Sequence, residues 1–252
     1  MPFNTAPVDT VVAITQRNYN LIKQHARAAV TTCNGCFSSF QNCDACMNGD
    51  PALADRTQDV MEKLGRCIVD DVEVFHVAEY YYKNSVALKQ AATHRVDGCK
   101  VAVHYGCHFL HQEDPAVLLD VVDDPTIMEV ILRDAGAEVV QYKERLTCCG
   151  AGLNQRLLHD DHINALSLTL RKMRSIAAHD ADAIVVVCPY CQLHLDNSQV
   201  ELEVEFDEEF SIPVIHLTQF IGLTLGFPLE TLRFDAHQVR VDGLLEKLAY
   251  SP

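Results

Sequence analysis

Cysteines at short spacing are the residues of this sequence whose type and pattern are best suited to chemistry. The sequence contains three Cys-x-x-Cys pairs and one adjacent pair, namely Cys33/Cys36, Cys43/Cys46, Cys188/Cys191 and Cys148-Cys149. The total of eleven cysteines is odd, so they cannot all be paired in disulfides. Cysteine pairs in a reducing compartment more often bind metal or carry out redox chemistry than form lasting disulfides. The clustering therefore indicates a metal or redox site.

The predicted strands bring cysteines from three distant segments to one edge of a sheet. Strands are predicted over residues 100–105, 137–142 and 183–187. Cysteines come directly after the first and third strands, and the adjacent pair lies a few residues beyond the second. In open α/β sheets, ligands collect at the carboxyl ends of the strands. We therefore expect one site with five thiols: Cys107, Cys148, Cys149, Cys188 and Cys191.

Thiolates are soft ligands that select zinc, copper(I) or iron–sulfur clusters. Side chains of the adjacent residues Cys148 and Cys149 diverge along an extended backbone, so they are poorly placed to chelate one small tetrahedral ion. Five thiolates also exceed the four that a zinc ion or a cubane cluster takes. The pattern favours a larger iron–sulfur cluster. Zinc bound by four of the five cysteines and a fortuitous group of buried cysteines are the alternatives.

Strands alternate with helices along the chain, which predicts an α/β fold with a largely parallel sheet. Helices are predicted over residues 8–28, 52–66, 77–92, 125–135, 154–179 and 216–225, and further strands over residues 28–32 and 72–77. We interpret residues 41–70 as polar and irregular around their helix, and residues 200–210 as a solvated acidic stretch. A second unit begins near residue 97.

Composition limits the partners of the protein. The 252 residues carry a net charge of -15, and 48% of them are hydrophobic. An acidic surface argues against binding to nucleic acid, which needs basic side chains to displace counterions, and against docking on anionic lipid. No apolar stretch is long enough for a transmembrane segment, and the first residues lack the features of a signal peptide. We expect a cytoplasmic protein.

Four short motifs resemble those of a known family. They are His104-Tyr-Gly-Cys-His108, Thr147-Cys-Cys-Gly-Ala-Gly152, Val187-Cys-Pro-Tyr-Cys191 and Cys33-Asn-Gly-Cys-Phe37. The pattern is similar to the cysteine-rich CCG domain, and the strings resemble the B subunit of heterodisulfide reductase. The resemblance covers roughly residues 10–230, which is most of the chain.

The resemblance implies a fold, a cofactor and partners. Family members carry two related Rossmann-like CCG domains, and each can hold a noncubane [4Fe–4S] cluster on five cysteines. The resemblance also implies an activity, the reductive cleavage of a disulfide. In methanogens this disulfide is the coenzyme M–coenzyme B heterodisulfide. Electrons would come from a flavin-containing partner, the A subunit of the same complex, through the C subunit, which carries cubane [4Fe–4S] clusters.

Compared with this family, the first CCG domain is incomplete. We expect a partial first domain over residues 1–95 and a complete second domain over residues 96–252. Cys33 and Cys36 would belong to a second cluster, whose other ligands would require a further upstream segment or another chain. Cys43 and Cys46 lie in a short insertion and are expected to be solvent-exposed thiols. Alternatively, they could join Cys33 and Cys36 in a set of four thiolates for zinc or a small cluster.

Polar residues beside the cysteines are candidates for supporting roles. His104, His108 and His111 flank Cys107, and His108 is the one we expect to donate a hydrogen bond to the cluster or to protonate a leaving thiolate. Arg145 and Arg156 flank the adjacent cysteines and could bind an anionic group of the substrate.

The resulting functional prediction is a catalytic iron–sulfur subunit of a heterodisulfide reductase-type complex, which reduces a disulfide to two thiols. One alternative from the same superfamily is an electron-transfer subunit of a lactate-, glycolate- or succinate-oxidising complex. A scaffold stabilised by zinc is an alternative from another class.

Overall fold

All strand pairing in the structure is parallel. The structure is a computed structural model that describes residues 6–110, 120–154 and 159–250. Within these ranges the strands form a two-stranded sheet and a four-stranded sheet, with helices in the connections. Parallel strands need crossover connections, and helices usually supply them. The predicted α/β class with parallel sheets is confirmed.

The two-stranded sheet belongs to the amino-terminal part of the chain. Its elements are α1 (Val8–Lys23), β1 (Ala28–Thr31), α2 (Asn34–Gly49), α3 (Pro51–Lys63), β2 (Glu73–His76), α4 (Val77–Lys83) and α5 (Ser85–Ala91). Strand β1 pairs with β2. Both strands were predicted, whereas the helix predicted over residues 77–92 is two helices that meet at Asn84.

The four-stranded sheet follows in the chain. Its elements are β3 (Lys100–His104), α6 (Cys107–Leu110), α7 (Ile127–Ala135), β4 (Glu138–Val140), α8 (Ala151–Asn154), α9 (His159–Ala177), β5 (Ala183–Val186), α10 (Pro189–Phe206), β6 (Val214–His216), α11 (Leu217–Thr224), α12 (Leu229–Leu232), a 3-10 turn (Phe234–Ala236) and α13 (Asp242–Lys247). The strand order is β4-β3-β5-β6, so β3 and β5 are central.

The central strands are buried on both faces. Every residue of β5 is buried, as its uninterrupted apolar sequence predicts. Val101 and Val103 of β3 belong to one apolar cluster, and Ala102 between them belongs to the cluster on the opposite face. This alternation follows from the two-residue period of a strand. The sheet therefore holds the loops at its strand ends on a rigid base.

Residues 41–51 differ from the prediction, because α2 runs through most of this segment and ends at Gly49. Phe37, Phe40 and Cys43 recur at helical spacing and are buried. Asp50 then caps α3, since its carboxylate accepts hydrogen bonds from the backbone N–H groups of Ala52 and Leu53 at 3.0 and 3.2 Å. The small polar residues between the buried positions concealed this helix in the sequence.

Residues 200–206 also differ from the prediction. They are the last turns of α10, which buries Leu202 within the otherwise exposed acidic stretch. Leu193, Val200 and Val204 of the same helix are exposed, so the helix has apolar residues on both faces and lacks a clear amphipathic pattern. No helix in the described ranges has both the length and the apolar character needed to cross a membrane.

A β–Cys–α–β–His–α unit occurs twice. Cys33 lies two residues after β1, and Cys188 lies two residues after β5. Their backbones have almost the same dihedral angles, with φ and ψ of -131° and 122° for Cys33 and -134° and 119° for Cys188. In both cases a long helix begins at the next residue. The two Cys-x-x-Cys motifs therefore have the same local setting.

The second half of each unit ends in a capping histidine. His76 pairs with the last residue of β1, and His216 pairs with the last residue of β5. Each imidazole Nδ1 accepts a hydrogen bond of 3.2 Å from the backbone N–H two residues further on, which caps the following helix. This correspondence is what an internal repeat predicts. The division of the chain between residues 95 and 96 stays a prediction.

Candidate functional site

Seven cysteines form a continuous row of thiols at the carboxyl ends of β1, β3 and β5. Neighbours in the row are in hydrogen-bonding contact, in the order Cys36, Cys33, Cys188, Cys191, Cys149, Cys148 and Cys107. The structure thus brings together all five cysteines expected at the main site. It also adds the pair that was expected to belong to a different cluster.

Cys188 and Cys191 occupy the start of α10. Pro189 occupies the first helical position, where the backbone N–H has no partner within the helix and proline is therefore favourable. The helix thus begins immediately after Cys188. Both cysteines are buried. Contact with Cys191, followed by contact with Cys33, lowers the pKa of Cys188 well below its ordinary value. The pKa of Cys191 is raised, chiefly by contact with Cys149, whose Sγ lies 3.4 Å away.

Cys148 and Cys149 lie in a tight loop that ends at Gly150. The glycine has a φ of 101°, and a Cβ at this position would lie 2.6 Å from the carbonyl oxygen of Ala165. Any other residue would therefore push the loop away from α9. The Thr169 hydroxyl of α9 donates a 2.8 Å hydrogen bond to the carbonyl oxygen of Cys149. The loop is fixed by its fit against this helix.

The two thiols of the adjacent pair have opposite character. Contact with the Cys107 thiol, followed by contact with Cys149, lowers the pKa of Cys148 well below its ordinary value. Contact with Cys148 is the largest influence on Cys149 and raises its pKa to about 12. Crowded thiols of this kind share protons unequally. A bound metal ion would replace these protons and turn the thiols into thiolate ligands.

Cys107 begins the short helix α6 directly after β3. Its Sγ lies 3.4 Å from Nδ1 of His108, so this predicted histidine is next to the site. Gly106, with a φ of 80°, lets the backbone pass close to the row: a Cβ there would lie 2.8 Å from Nδ2 of Asn34 and 3.3 Å from Sγ of Cys191. The third flanking histidine, His111, lies outside the described residues.

Polar contacts join the Cys33 segment to the larger sheet. Asn34 donates a 2.6 Å hydrogen bond from Nδ2 to the carbonyl oxygen of Tyr105. On the other side, Nε2 of His216 lies 2.9 Å from the carbonyl oxygen of Thr32. These bonds hold Cys33 against Cys188. Cys36, by contrast, is exposed.

His104 is the histidine most deeply placed in the site. It is fully buried, and among the described residues neither ring nitrogen has a hydrogen-bond partner. One of its nitrogens and the sulfurs of Cys149 and Cys191 all lie within 4.8 Å of one another. Burial is the main cause that lowers the pKa of His104 to about 3, so the ring is neutral. The sequence favoured His108 because it is adjacent to Cys107. In the structure, His104 at the end of β3 is the histidine that lies next to the sulfurs of Cys149 and Cys191.

This environment fits an iron–sulfur cluster. A buried imidazole without partners is unfavourable by about 1–3 kcal/mol, so native structures rarely leave one unsatisfied. A cluster among the thiols would offer sulfur acceptors to the imidazole N–H, and iron would replace the thiol protons. The residues that could hold it are Cys107, Cys148, Cys149, Cys188 and Cys191, with Cys33 and Cys36 at the end of the row.

The remaining cysteines are not part of the row. Cys43 is buried beneath α1, where its Sγ lies 3.8 Å from the carbonyl oxygen of Val12 and 3.9 Å from Nε2 of Gln16. It is ten residues beyond Cys33 along a helix, which corresponds to a rise of roughly 15 Å. The alternative zinc set of Cys33, Cys36, Cys43 and Cys46 is therefore not supported.

Arg145 is committed to ion pairs. Its guanidinium donates to the carboxylate of buried Glu129 at 2.7 Å and to that of Asp124 at 2.8 Å. The side chain is only 12% exposed. It therefore anchors the loop before the adjacent cysteines and is not available to bind an anionic group of a substrate. Arg156, the other candidate, lies outside the described residues.

Lys172 was missed at the sequence level. It is completely buried on the face of α9 that points into the protein, close to the loop that holds Cys148 and Cys149. A sequence signal did exist. Lys172 follows Ala165 by seven residues and Thr169 by three, so all three lie on the same, inner face of the helix.

Comparison with known proteins agrees with the cysteine pattern. The family profile described as "CCG: Cysteine-rich domain" matches residues 101–196, which run from β3 into α10. The matched segment contains all five cysteines of the main set and the loops that carry them.

Related proteins match nearly the whole chain. The B subunit of the ferredoxin:CoB-CoM heterodisulfide reductase of Methanosarcina mazei is 31% identical over 95% of this chain and 79% of its own length. A protein of Archaeoglobus profundus, described as similar to the B subunit of heterodisulfide reductase, is 32% identical over 86% of this chain and 73% of its own. An "8-methylmenaquinol:fumarate reductase membrane anchor subunit" of Wolinella succinogenes is 30% identical over 90% and 77%.

A solved structure shares the fold. The crystal structure of a hypothetical protein from Helicobacter pylori aligns with a TM-score of 0.72 at 10% sequence identity, over 93% of this chain. The chain spans 42% of the length of that protein. The names of the sequence relatives are those of oxidoreductase subunits, and the matched cysteine-rich domain contains five of the seven thiols of the row. The chain therefore belongs to the family of heterodisulfide reductase B subunits.

Proposed function

We propose that the chain is the catalytic iron–sulfur subunit of a heterodisulfide reductase-type complex. In this proposal a noncubane [4Fe–4S] cluster is held by Cys107, Cys148, Cys149, Cys188 and Cys191. The observation that carries it is the continuous row of thiols beside the ring of His104, which has no hydrogen-bond partner in the part of the chain that the structure describes. Zinc with four ligands would leave cysteines of the row unused.

The reaction is a two-electron reduction of a disulfide. The S–S bond breaks, two electrons and two protons are taken up, and two thiols leave. When bound, the cluster supplies one electron at a time and a site for a substrate sulfur. His108, next to Cys107 at the rim, is positioned to pass a proton to a leaving thiolate.

The exposed end of the row is suited to substrate entry. Cys36 is exposed, and a cavity of about 150 Å³ opens beside it between α1 and α2. Val11, Ile14 and Phe40 line this cavity with apolar groups. We propose that an apolar arm of one thiol enters this cavity. The coenzyme M–coenzyme B heterodisulfide, named in the relatives, is the substrate that we propose for a methanogen-type complex.

Cys33 and Cys36 are proposed as ligands of a second cluster. Their local structure repeats that of Cys188 and Cys191, which supports a first CCG unit over residues 1–95 and a second over residues 96–252. The remaining ligands of that cluster would come from protein outside this sequence. The order of the row would place the two clusters next to each other, at the contact of Cys33 with Cys188.

Electrons must reach the site from partner proteins. We propose that a C subunit with cubane clusters delivers them and that a flavin-containing A subunit is their source. A cytoplasmic location is part of the proposal, because a row of thiols in contact stays reduced most readily in a reducing compartment.

A second candidate function is electron transfer in a complex that oxidises or reduces an organic acid. The similarity to the Wolinella fumarate reductase subunit favours this possibility specifically. Disulfide reduction separates the two candidates, because an electron-transfer subunit would load iron without cleaving disulfides.

The test replaces Cys149 with serine. The anaerobically purified chain is assayed for reduction of the heterodisulfide by reduced viologen, and Cys149→Ser is expected to lose at least about 99% of the rate, or about 2.7 kcal/mol of transition-state stabilisation. Cys67→Ser is the control, since Cys67 is exposed and not part of the row. Unchanged turnover in Cys149→Ser would exclude the proposed cluster from catalysis. No turnover in an iron-loaded wild-type chain would favour the electron-transfer candidate.

A further inference from the structure

Among the described residues, Lys172 is a buried cation that forms no salt bridge, although the charge of Glu144 favours its protonated form. Its ammonium group donates a hydrogen bond to the main-chain carbonyl oxygen of Glu144 and lies 5.4 Å from the centre of the Tyr142 ring. The side chain has no exposed surface. A buried ammonium group without a counter-charge is strongly unfavourable, so such a residue normally faces a negative group.

Thiolates of the site, which metal binding would create, are among the charges that would favour the protonated form of Lys172. The charges that favour its protonated form are, in decreasing order, those of Cys149, Cys148, Cys191 and Glu144. Burial opposes them and is the larger influence, which lowers the pKa of Lys172 to about 8. The lysine thus lies behind the loop of adjacent cysteines, on the inner side of the site.

The surrounding contacts keep the ammonium group in place. Thr169, one turn earlier on α9, is bonded to the carbonyl oxygen of Cys149, so the helix and the cysteine loop move as one body. Glu144, which accepts from Lys172, precedes the same loop. The contacts made by Thr169 and Lys172 therefore fix α9 against the segment that leads into the cysteine loop.

We propose that Lys172 is a positioning residue that raises the reduction potential of the bound cluster through its fixed buried charge. This inference rests on the proposed function, because it requires a cluster on Cys148, Cys149 and Cys191. Each electron taken up by the cluster adds negative charge to a region of low dielectric. A nearby cation stabilises the reduced form more than the oxidised form, and the hydrogen bonds and charges around a cluster set its potential.

A purely structural role is the competing explanation. Lys172 satisfies the carbonyl oxygen of Glu144, and loss of that bond alone would lower stability without altering the potential. The measurement must therefore be the midpoint potential, which a structural bond does not control. Stability and iron content are measured alongside it.

The experiment uses the full chain reconstituted anaerobically with iron and sulfide. Lys172→Met keeps an unbranched side chain, one atom shorter, and removes its charge, and Lys172→Arg keeps the charge. Midpoint potentials are measured by redox titration monitored by electron paramagnetic resonance. We expect a more negative potential for Lys172→Met and a potential close to wild type for Lys172→Arg. Lys247→Met is the matched control, since Lys247 is 43% exposed and pairs with Asp182 at the amino end of β5.

The outcomes separate the inference from the proposed function. An iron-loaded Lys172→Met chain with an unchanged potential would overturn the role of Lys172 and leave the proposed function standing. If Lys172→Met binds less iron, the potential of its loaded fraction decides: a more negative value than wild type would support the role of the charge, and an equal value would overturn it. A wild-type chain that takes up no iron would overturn the proposed function itself.

Discussion

At the scale of single residues, the environment of His104 distinguishes a metal site from a group of cysteines that only pack together. Its ring is fully buried and has no hydrogen-bond partner among the described residues. In the iron-free chain such a ring destabilises the fold, because its N–H and its lone pair have lost water and gained nothing. In the iron-loaded chain the same N–H would have sulfur acceptors beside it. The two forms therefore respond in opposite ways to loss of the imidazole.

We predict that His104→Leu stabilises the iron-free chain by about 1 kcal/mol, because the mutation removes a buried polar group without a partner. The same mutation is expected to speed the loss of iron from the loaded chain. Urea unfolding of the chelator-treated protein measures the first effect, and the rate of iron release to a chelator measures the second. A lower stability of iron-free His104→Leu would contradict this account.

His194 provides the matched control for this prediction. It is also buried, but its Nε2 lies 3.0 Å from the Thr169 hydroxyl and its Nδ1 lies 3.3 Å from that of Ser198. Replacing it with leucine leaves those hydroxyls without this partner. His194→Leu should therefore destabilise the iron-free chain.

Residue-level roles were only partly predictable. The five cysteines could be grouped because their motifs follow strands, and strand ends meet at one edge of a parallel sheet. The relative importance of His104 and His108 depends on the face of β3 that His104 occupies and on the course of the chain into α6, which carries His108, and a lone sequence gives neither. Arg145 looked free for a substrate, but its partners Glu129 and Asp124 come from a separate segment of the chain.

At the scale of elements, histidine caps connect the strands to their helices. His76 ends β2 and accepts a hydrogen bond at Nδ1 from the N–H of Ala78, while its Nε2 lies 2.9 Å from Oδ1 of Asn34. Protonation of Nδ1 would remove the acceptor that caps α4. Burial is the main cause that lowers the pKa of His76 to about 3 in the folded chain. The cap is therefore sensitive to acid.

We predict an acid-dependent loss of stability from this cap. The unfolded chain binds a proton at His76 near pH 6.5, and the folded chain does so only near pH 3, so the stability is present above pH 6.5 and falls as the pH drops below it. At pH 5 the loss from His76 should be about 2 kcal/mol. His76→Asn keeps a capping oxygen but does not titrate.

The difference between wild type and His76→Asn is the measured quantity. Urea unfolding of the iron-free chain at pH 7 and pH 5 should show wild type losing about 2 kcal/mol more than the variant. Exposed His25→Asn serves as a control and should behave like wild type. Equal losses in wild type and His76→Asn would rule out the cap as the titrating element.

The elements that escaped prediction have weak sequence signals, for different reasons. Helices α2 and α10 both begin directly after a cysteine of a Cys-x-x-Cys motif, where a ligand-bearing loop was the simpler expectation. Helix α10 has apolar residues on its buried and exposed faces, so no single stripe marks it as a helix. Strand β6 has three residues, too few for periodicity to identify. The long buried runs of β3 and β5 were predictable because burial on both faces requires continuous apolar sequence.

At the scale of the whole molecule, the repeated β–Cys–α–β–His–α unit explains why seven thiols form one row. Each copy delivers a Cys-x-x-Cys pair from the start of a helix, and the bond between His216 and the carbonyl oxygen of Thr32 holds the copies together. Cys107 after β3 and the loop of Cys148 and Cys149 after β4 complete the larger set. A net charge of -15 leaves an acidic surface, which favours a partner with a basic docking face.

The most direct test of the proposed cluster is the metal content of the chain purified without oxygen. We expect a brown protein that contains about four irons and about four acid-labile sulfides per chain, held by the five cysteines of the main set, and little zinc. Replacing Cys149 with serine should lower both iron and sulfide together. A colourless protein with one zinc ion per chain and no sulfide would contradict the proposal.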